Sequence, residues 1–485
     1  VSTTGDRLGA ITQLAPQDAD FVYSEHERHL SNTAAMYMFD TTNESATVEL
    51  DDVIEWMRER LGHGAVFTRR LRRVPFELDY PYWVPDRGLD LRRHVFVERA
   101  DGSGWDALRR QISRIAGSPL DLSRPPWELH FVTGASGLGT MPDRMTVAIV
   151  KCHHSAGDGM AVRELGTRLF GRSAAHPPTP TSTEEFSPLT QLARAAMRLP
   201  SQWLEFRDGI TATTDAGRRV ADAVARGEIV EPPKEWPSVV FNGTITPDLA
   251  FDMVDLSAAG IAVVRAAFPG VTFNDVVLTT VGGALAAYLD ERGETPAGSL
   301  SAMVPMSMRG TTPGVADDPA PSRGNHLALM TVDLHTDVGD PADRLQAVHT
   351  SGHDEKKRHR HPDVQAASSR MSSSPPWLLA LANRARRFTD RPGPTVDGAN
   401  VMVSNVPWAG SDLVFRDAPC TKVVGILGIV DRMGLRHLVA SSGDGAVELS
   451  FCTDTAMMPD TERYRILLRQ SFDALVTAAR TRADE

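Results

Sequence analysis

Two adjacent histidines close an apolar run, and a turn containing two glycines and an aspartate follows them. The stretch reads MTVAIVKCHHSAGDG, from Met145 to Gly159. TVAIV predicts a buried strand, which would hold the imidazoles at its end with little positional freedom. Side chains alternate along a strand, so His153 and His154 are expected to point to opposite faces. One could face a reaction chamber while the other supports the scaffold. SAGDG breaks the strand, its glycines permit a tight turn, and Asp158 can bond the turn's amides or an arginine.

Neutral imidazole suits removal of a proton from a hydroxyl, because its reference pKa of about 6.5 lies near working pH. Such a base contributes roughly 10²–10⁴-fold in rate. If the other reactant is a thioester, the acyl donor is already activated and no protein nucleophile is required. Two rival readings stay open: paired histidines can simply cap a strand, or they can bind a metal. Neighbours on a strand diverge, and no HExxH or CxxC accompanies them, so no metal site is expected.

The whole chain must supply the elements that hold this turn. With 485 residues it is long enough for two or three units. Hydrophobic residues at 41% and charged ones at 23% are globular values, which excludes wholesale disorder. A formal net charge of −11 argues against a nucleic-acid partner. Cys152, Cys420 and Cys452 have no paired spacing, which fits a reducing cytoplasm rather than a disulfide framework. No run of about 18 apolar residues predicts a spanning helix, and the opening VSTTGDRLGA lacks the order of a secretory signal.

Helical spacing predicts a helix in VELDDVIEWMRERLGH, from Val48, and RRHVFVER near Val95 predicts a strand. AAHPPTPTSTEEFSP, from Ala174 to Pro188, reads as an extended connection. A crossover helix, LTQLARAAMRLPSQWLEF, follows, with Trp203, Leu204 and Phe206 expected as core anchors rather than membrane wedges, and then a polar segment to about Pro237. TFNDVVLTTVGGALAAYLDERG predicts a long helix with Asn274 as N-cap, Asp275 at its positive end and Gly293 beyond it. LSAMVPMSM, HLALMTVDL, NVMVSNVP, TKVVGILGIV and AVELSFCT read as strands, and DTERYRILLRQSFDALVTAART as a closing helix. The organisation expected is an N-terminal unit over 1–173, a linker with a helix over 174–237, and a second α/β unit over 238–485.

HHxxxDG after a buried strand resembles the signature of the coenzyme A-dependent acyltransferase superfamily, which includes chloramphenicol acetyltransferase and peptide-synthetase condensation domains. The chain as a whole is similar to the bacterial wax ester synthase/diacylglycerol acyltransferase family. LAPQDADFVYSE (Leu14 to Glu25) is close to the family's opening LSPxDxxFLxxE, and SPLDLSRPPWELH (Ser118 to His130) to its PLDxSRPLWE. FNGTI, FNDVVLTTVGGALAAYL, MVPMSMR, GNHLALM and VMVSNVP follow in the family's order.

The resemblance implies two chloramphenicol acetyltransferase-like α/β domains with mixed sheets and an active-site tunnel between them. It implies that His154 is the general base, that His153 shapes the strand end, and that Asp158 holds the loop by pairing with an arginine, Arg309 being one candidate. Gly159 would permit close approach of substrate to backbone. Asn274, in the family's ND motif, would position the reacting carbonyl or its oxyanion, with helix capping as the alternative. The reaction implied is direct transfer of a long-chain acyl group from acyl-CoA, as substrate, to diacylglycerol or a long-chain alcohol, without a cofactor. Coenzyme A contacts cannot be mapped from the sequence. Alternatives are an acyltransferase with another acceptor or a carrier-protein donor, and a non-catalytic lipid-surface protein.

Localisation is expected to be cytoplasmic, with peripheral contact at the inner membrane face or a lipid droplet. PPWLLALANRARRF (Pro375 to Phe388) joins an apolar start to Arg384, Arg386 and Arg387, and EKKRHRH (Glu355 to His361) adds positive charge upstream. These could meet anionic headgroups or coenzyme A phosphates, or form a packed helix with a solvated basic end.

Overall fold

A computed structural model describes residues 11–44, 47–139, 141–157, 159–172, 186–307, 327–368, 374–389, 393–407, 412–441 and 446–484. Asp158, Arg309 and most of the proline-rich connection lie outside the described residues.

The first half opens with β1 (Thr12–Gln13), α1 (Pro16–Ser24) and β2 (Asn32–Asp40), then α2 (Leu50–Arg58). β3 (Arg69–Arg72), β4 (Tyr82–Pro85) and β5 (Val95–Arg99) follow. α3 (Trp105–Ala116), β6 (Trp127–Ala135), β7 (Met145–His153) and α4 (Gly159–Phe170) complete it. β2 and β7 pair antiparallel at the centre of a six-stranded sheet. Both faces are covered: Met145, Val147 and Ile149 enter one core, Ala148, Val150 and Cys152 another. With both faces covered, apolar side chains are favoured on each, which is why VAIV shows no alternation.

α5 (Pro188–Ala225) begins with the Ser187 side chain accepting from the Thr190 amide and proline in its first turn. It runs through Pro200 and takes in most of the polar segment that follows the crossover helix in the sequence. Trp203 and Leu204 are exposed, correcting their expected role as core anchors; Phe206 is half-buried. Helical spacing alone cannot say which stripe of a crossover helix meets a core.

The second half contains β8 (Glu235–Pro237), β9 (Leu249–Ser257), α6 (Ala258–Ala267) and α7 (Phe273–Glu291). β10 (Ser301–Ser307), β11 (Leu327–Asp333), α8 (Pro341–Arg360), α9 (Pro362–Ser368) and α10 (Pro376–Thr389) come next. The last elements are β12 (Thr395–Asp397), β13 (Val401–Pro407), β14 (Val414–Phe415), β15 (Ala418–Leu427), β16 (Leu435–Ser441), β17 (Ala446–Asp454) and α11 (Thr461–Asp484). A second mixed sheet has the order β11-β10-β13-β16-β17-β9, with β10, β13 and β16 parallel.

The N-cap of α7 is Thr272, not Asn274. Thr272 and Asp275 bond reciprocally across the first turn, a capping box that leaves Asn274 inside the helix with its side chain unused for capping.

Sheet membership does not follow the division of the chain throughout. β14 and β15 belong to the 238–485 segment, yet the first sheet runs β14-β15-β2-β7-β6-β5. β15 pairs antiparallel with β2, and Phe415 is buried among Phe39, Trp56 and Phe131, with ring centroids 4.5–5.8 Å away. Burying a phenyl ring contributes about 1.5–3 kcal/mol, so the exchanged strands are anchored rather than merely adjacent. Gly425 lets β15 approach β16 closely, since a Cβ there would lie 2.4 Å from Leu438. The two halves are thereby laced together beside the histidine turn.

Candidate active site

His153 ends β7 and is fully buried. Its Nε2 meets the Glu25 carboxylate at the end of α1, and its Nδ1 bonds Ser155 Oγ at 2.6 Å and accepts from the Ser155 amide at 3.2 Å. The ring is therefore a strut between strand, turn and first helix. His154 has already left the ladder for a short 3-10 turn, His154–Ala156, where its amide donates to the Ser31 carbonyl at 2.7 Å. Its imidazole is half-buried and stacks on Phe21 of α1, with centroids 4.1 Å apart and planes 13° from parallel. Two adjacent histidines thus occupy different surroundings.

Gly159 begins α4 against β13, and a Cβ on it would stand 3.1 Å from Val406 Cγ2. Arg163 of the same helix donates to the Pro407 carbonyl at 2.6 Å. On the preceding residue of β13, Asn405 donates from Nδ2 to Asn274 Oδ1 at 2.8 Å. β13 therefore offers consecutive residues to both sequence motifs, Val406 to the glycine and Asn405 to the asparagine. The Asn405 bond also fixes the Asn274 amide and leaves its Nδ2 as a donor. Asp275 is buried and bonds His349 Nδ1 at 2.8 Å, so it serves the scaffold of α7 and α8.

Three groups escaped the sequence reading of the site. Glu25 lies within a quoted motif but was assigned no role. Asn405 lies in NVMVSNVP, a strand and part of the family likeness, with no role of its own in the sequence reading. Lys151 carried a visible signal, a cation inside a buried apolar run, which must find a partner. Its Nζ donates to Ser118 O and Ser118 Oγ, both at 2.6 Å, and pairs with Glu128 at 3.3 Å. Burial pulls the Lys151 ammonium below its usual pKa, and Glu128 draws it partly back. Burial pushes the Glu128 carboxyl up, but His130 and Lys151 outweigh it and hold it below the ordinary range. This network stiffens β6 and β7 immediately before the histidines.

Thiol chemistry is disfavoured at the three cysteines, because burial pushes Cys152, Cys420 and Cys452 up to about 12. A cavity of about 940 Å³ adjoins Val22 of α1 and carries Arg70, Arg72, Arg73 and Arg87; neither histidine lines it. The basic run EKKRHRH is partly absorbed by packing, since Glu355 and His359 are buried and Glu355 accepts from the Thr331 amide at 3.0 Å. In α10, Ala380 and Asn383 are buried while Arg384 and Arg386 are exposed; the Arg387 side chain lies outside the described residues.

A wax ester synthase/diacylglycerol acyltransferase catalytic domain matches residues 14–277, and the C-terminal domain of the same family matches residues 323–476. The chain belongs to that family. It is an acyl-CoA-dependent O-acyltransferase on the two-domain, chloramphenicol acetyltransferase-like fold. A Mycobacterium tuberculosis relative with the provisional name diacyglycerol O-acyltransferase is 25% identical, over 93% of this chain and 87% of its own. A second from that organism is 26% identical over 99% and 98%. The solved wax ester synthase/diacylglycerol acyltransferase of Marinobacter aquaeolei VT8 superposes with a TM-score of 0.67 at 21% identity, covering 96% of this chain and all of that one. A trichothecene 15-O-acetyltransferase from Fusarium sporotrichioides shares the fold at a TM-score of 0.59 and 14% identity, over 98% of this chain and 97% of its own.

Proposed function

We propose that His154 is the general base in direct transfer of a long-chain acyl group from acyl-CoA to the hydroxyl of diacylglycerol or a long-chain alcohol. The observation that carries this is the contrast at the strand end. His153 is fully buried and bonded by Glu25 and Ser155, whereas the His154 ring is half-buried against Phe21, one residue past the end of β7.

In this reading the His154 imidazole takes the hydroxyl proton as the oxygen attacks the thioester carbon. The tetrahedral oxyanion is met by Asn274 Nδ2, oriented by Asn405. The carbon–sulfur bond then breaks, the coenzyme A thiolate recovers the proton from the imidazolium, and the ester leaves. Asp158 holds the turn, with Arg309 as its partner, and Gly159 keeps side-chain bulk away from the reacting centre. Acyl-CoA and acceptor enter a tunnel between the domains from opposite sides, and no further cofactor takes part. The high thiol pKa values support transfer in a ternary complex over an acyl-cysteine intermediate. No helix among the described residues is long and apolar enough to cross a membrane, and the enzyme reaches lipid as a peripheral protein at a membrane or droplet surface.

The test incubates pure protein with radiolabelled palmitoyl-CoA and a panel of acceptors: diacylglycerol, hexadecanol, an amine, a sugar-like alcohol and a carrier-protein thiol. Neutral lipid product from the first two is expected. Product with the other acceptors alone would discard the assigned acceptor class, and none with any acceptor would discard the reaction.

A further inference from the structure

Large exposed apolar side chains lie on α5, on α10 and on the turn at 75–77. α5 leaves Leu189, Met197, Trp203, Leu204 and Ile210 exposed, Met197 at 74% and Trp203 at 52%. At 3.6 residues per turn these five fall within an arc of roughly 140°. Trp203 lies against Trp377 of α10, with ring centroids 5.6 Å apart, and one turn further along α10 Leu381 is 57% exposed. α10 also packs against the turn at 75–77, where Phe76 is 82% exposed. Phe76 and Glu77 have φ of 60° and 53°, the left-handed region that disfavours any residue with a side chain. The Phe76 ring stands in water on this unfavourable backbone.

Charge surrounds these side chains. Across residues 72–77, 189–210 and 376–386 there are seven arginines and three acids, in a chain whose formal net charge is −11. Arg72, Arg194, Arg384 and Arg386 are exposed, while Arg198 lies 3.8 Å from the Asp79 carboxylate, and Glu77 and Asp208 are engaged by Arg73 and Arg207.

We infer that this face, formed by α5, α10 and the 75–77 turn, docks on an anionic lipid surface. Arginines meet the phosphates while Phe76, Trp203, Leu204 and Leu381 enter the acyl boundary. The occupant follows from the pairing of exposed arginines on α5, α10 and the strand before the 75–77 turn with exposed tryptophan and long aliphatic side chains on the same two helices. The face is coupled to the histidine turn through α1, where Asp20 accepts from Asn383 Nδ2 of α10 at 2.8 Å and Phe21 stacks on His154. The inference rests on the lipid reaction proposed above and names the surface by which that reaction meets its apolar substrates.

Co-sedimentation of the full chain with phosphatidylcholine vesicles, with and without phosphatidylglycerol, tests it. The anionic vesicles are expected to bind the chain at least roughly tenfold more tightly, and salt to weaken that preference. Arg384→Glu with Arg386→Glu should abolish the preference, and Phe76→Ser with Trp203→Ser should weaken binding to both vesicles. Transfer to a short water-soluble alcohol should persist in all variants, which establishes that they are folded. Equal binding to both vesicles, or variants that bind as the parent does, would overturn the inference. So would variants that only convert a dimer to monomers, which would make the face a self-interface. If docking behaves as expected and no acceptor yields product, the reaction fails and the docking face stands.

Discussion

β7 of the first large sheet and β16 of the second both bear a histidine, and the chain uses the imidazoles at these two places differently. His437 lies inside β16 and is fully buried; its Nδ1 donates to the Met402 carbonyl at 3.2 Å and its Nε2 accepts from the Tyr464 hydroxyl at 2.8 Å. Burial holds its pKa down at about 4, so the ring is neutral at physiological pH. His153, the last residue of β7, is likewise taken up by its neighbours on both nitrogens. One residue later the ladder has ended, and His154 rests on Phe21 in a turn. The His437 ring, inside its ladder, is closed off from solvent. A ring just past the end can be rigid and still reach a substrate.

The largest expected effect follows from that contrast. His154→Ala should lower kcat by about 10²–10⁴-fold in a steady-state assay, with the thermal midpoint little changed. If activity survives intact, the strand-end ring is no more functional than His437. Asn274→Ala should lower kcat by about 10²–10³-fold if its amide meets the oxyanion, leaving KM nearly unaltered. An effect on stability alone would place Asn274 with the scaffold groups.

Glu25→Gln sharpens the difference between His153 and His154. Loss of the carboxylate leaves a buried imidazole poorly held, and a shifted turn should reduce kcat by about 10²-fold, with a stability loss of about 1–3 kcal/mol by denaturant unfolding. Unchanged kcat would show that His154 keeps its place without this strut.

The smallest effect on rate belongs to His437. His437→Gln should leave acyl transfer at pH 7 unaltered and change the pH dependence of stability instead. In the parent chain the unfolded ring takes up a proton near pH 6.5, whereas the folded ring resists until about 4. Stability from this group is complete above about 6.5 and falls as pH drops toward 4, by up to roughly 3 kcal/mol. Unfolding of both proteins between pH 7 and 5 should show the smaller slope in the variant.

Legibility in the sequence varied with how local the cause was. β7 and the helices α7 and α11 follow from hydrophobic pattern, and each of the five later strand candidates forms a strand. β2 was not read as a strand: NTAAMYMFD is rich in alanine and methionine, which favour helices, and its pairing with β7 and β15 overrides that preference. The cap of α7 was misplaced by two residues, because Thr272 and Asn274 are both good capping types and only the Asp275 bond decides between them. Trp203 was expected inside because tryptophan usually is, yet α5 turns it outward.

By itself the sequence determined the histidine turn, its place after a buried strand, and a family likeness collinear along most of the chain. These depend on side-chain type, spacing and local backbone preference. Only the tertiary structure decided that Glu25 holds His153, that Asn405 holds Asn274, that β15 crosses to the first sheet, and that Phe76 and Trp203 face water. Each of those joins or separates residues far apart in the chain, and no local pattern encodes which distant partner closes the contact.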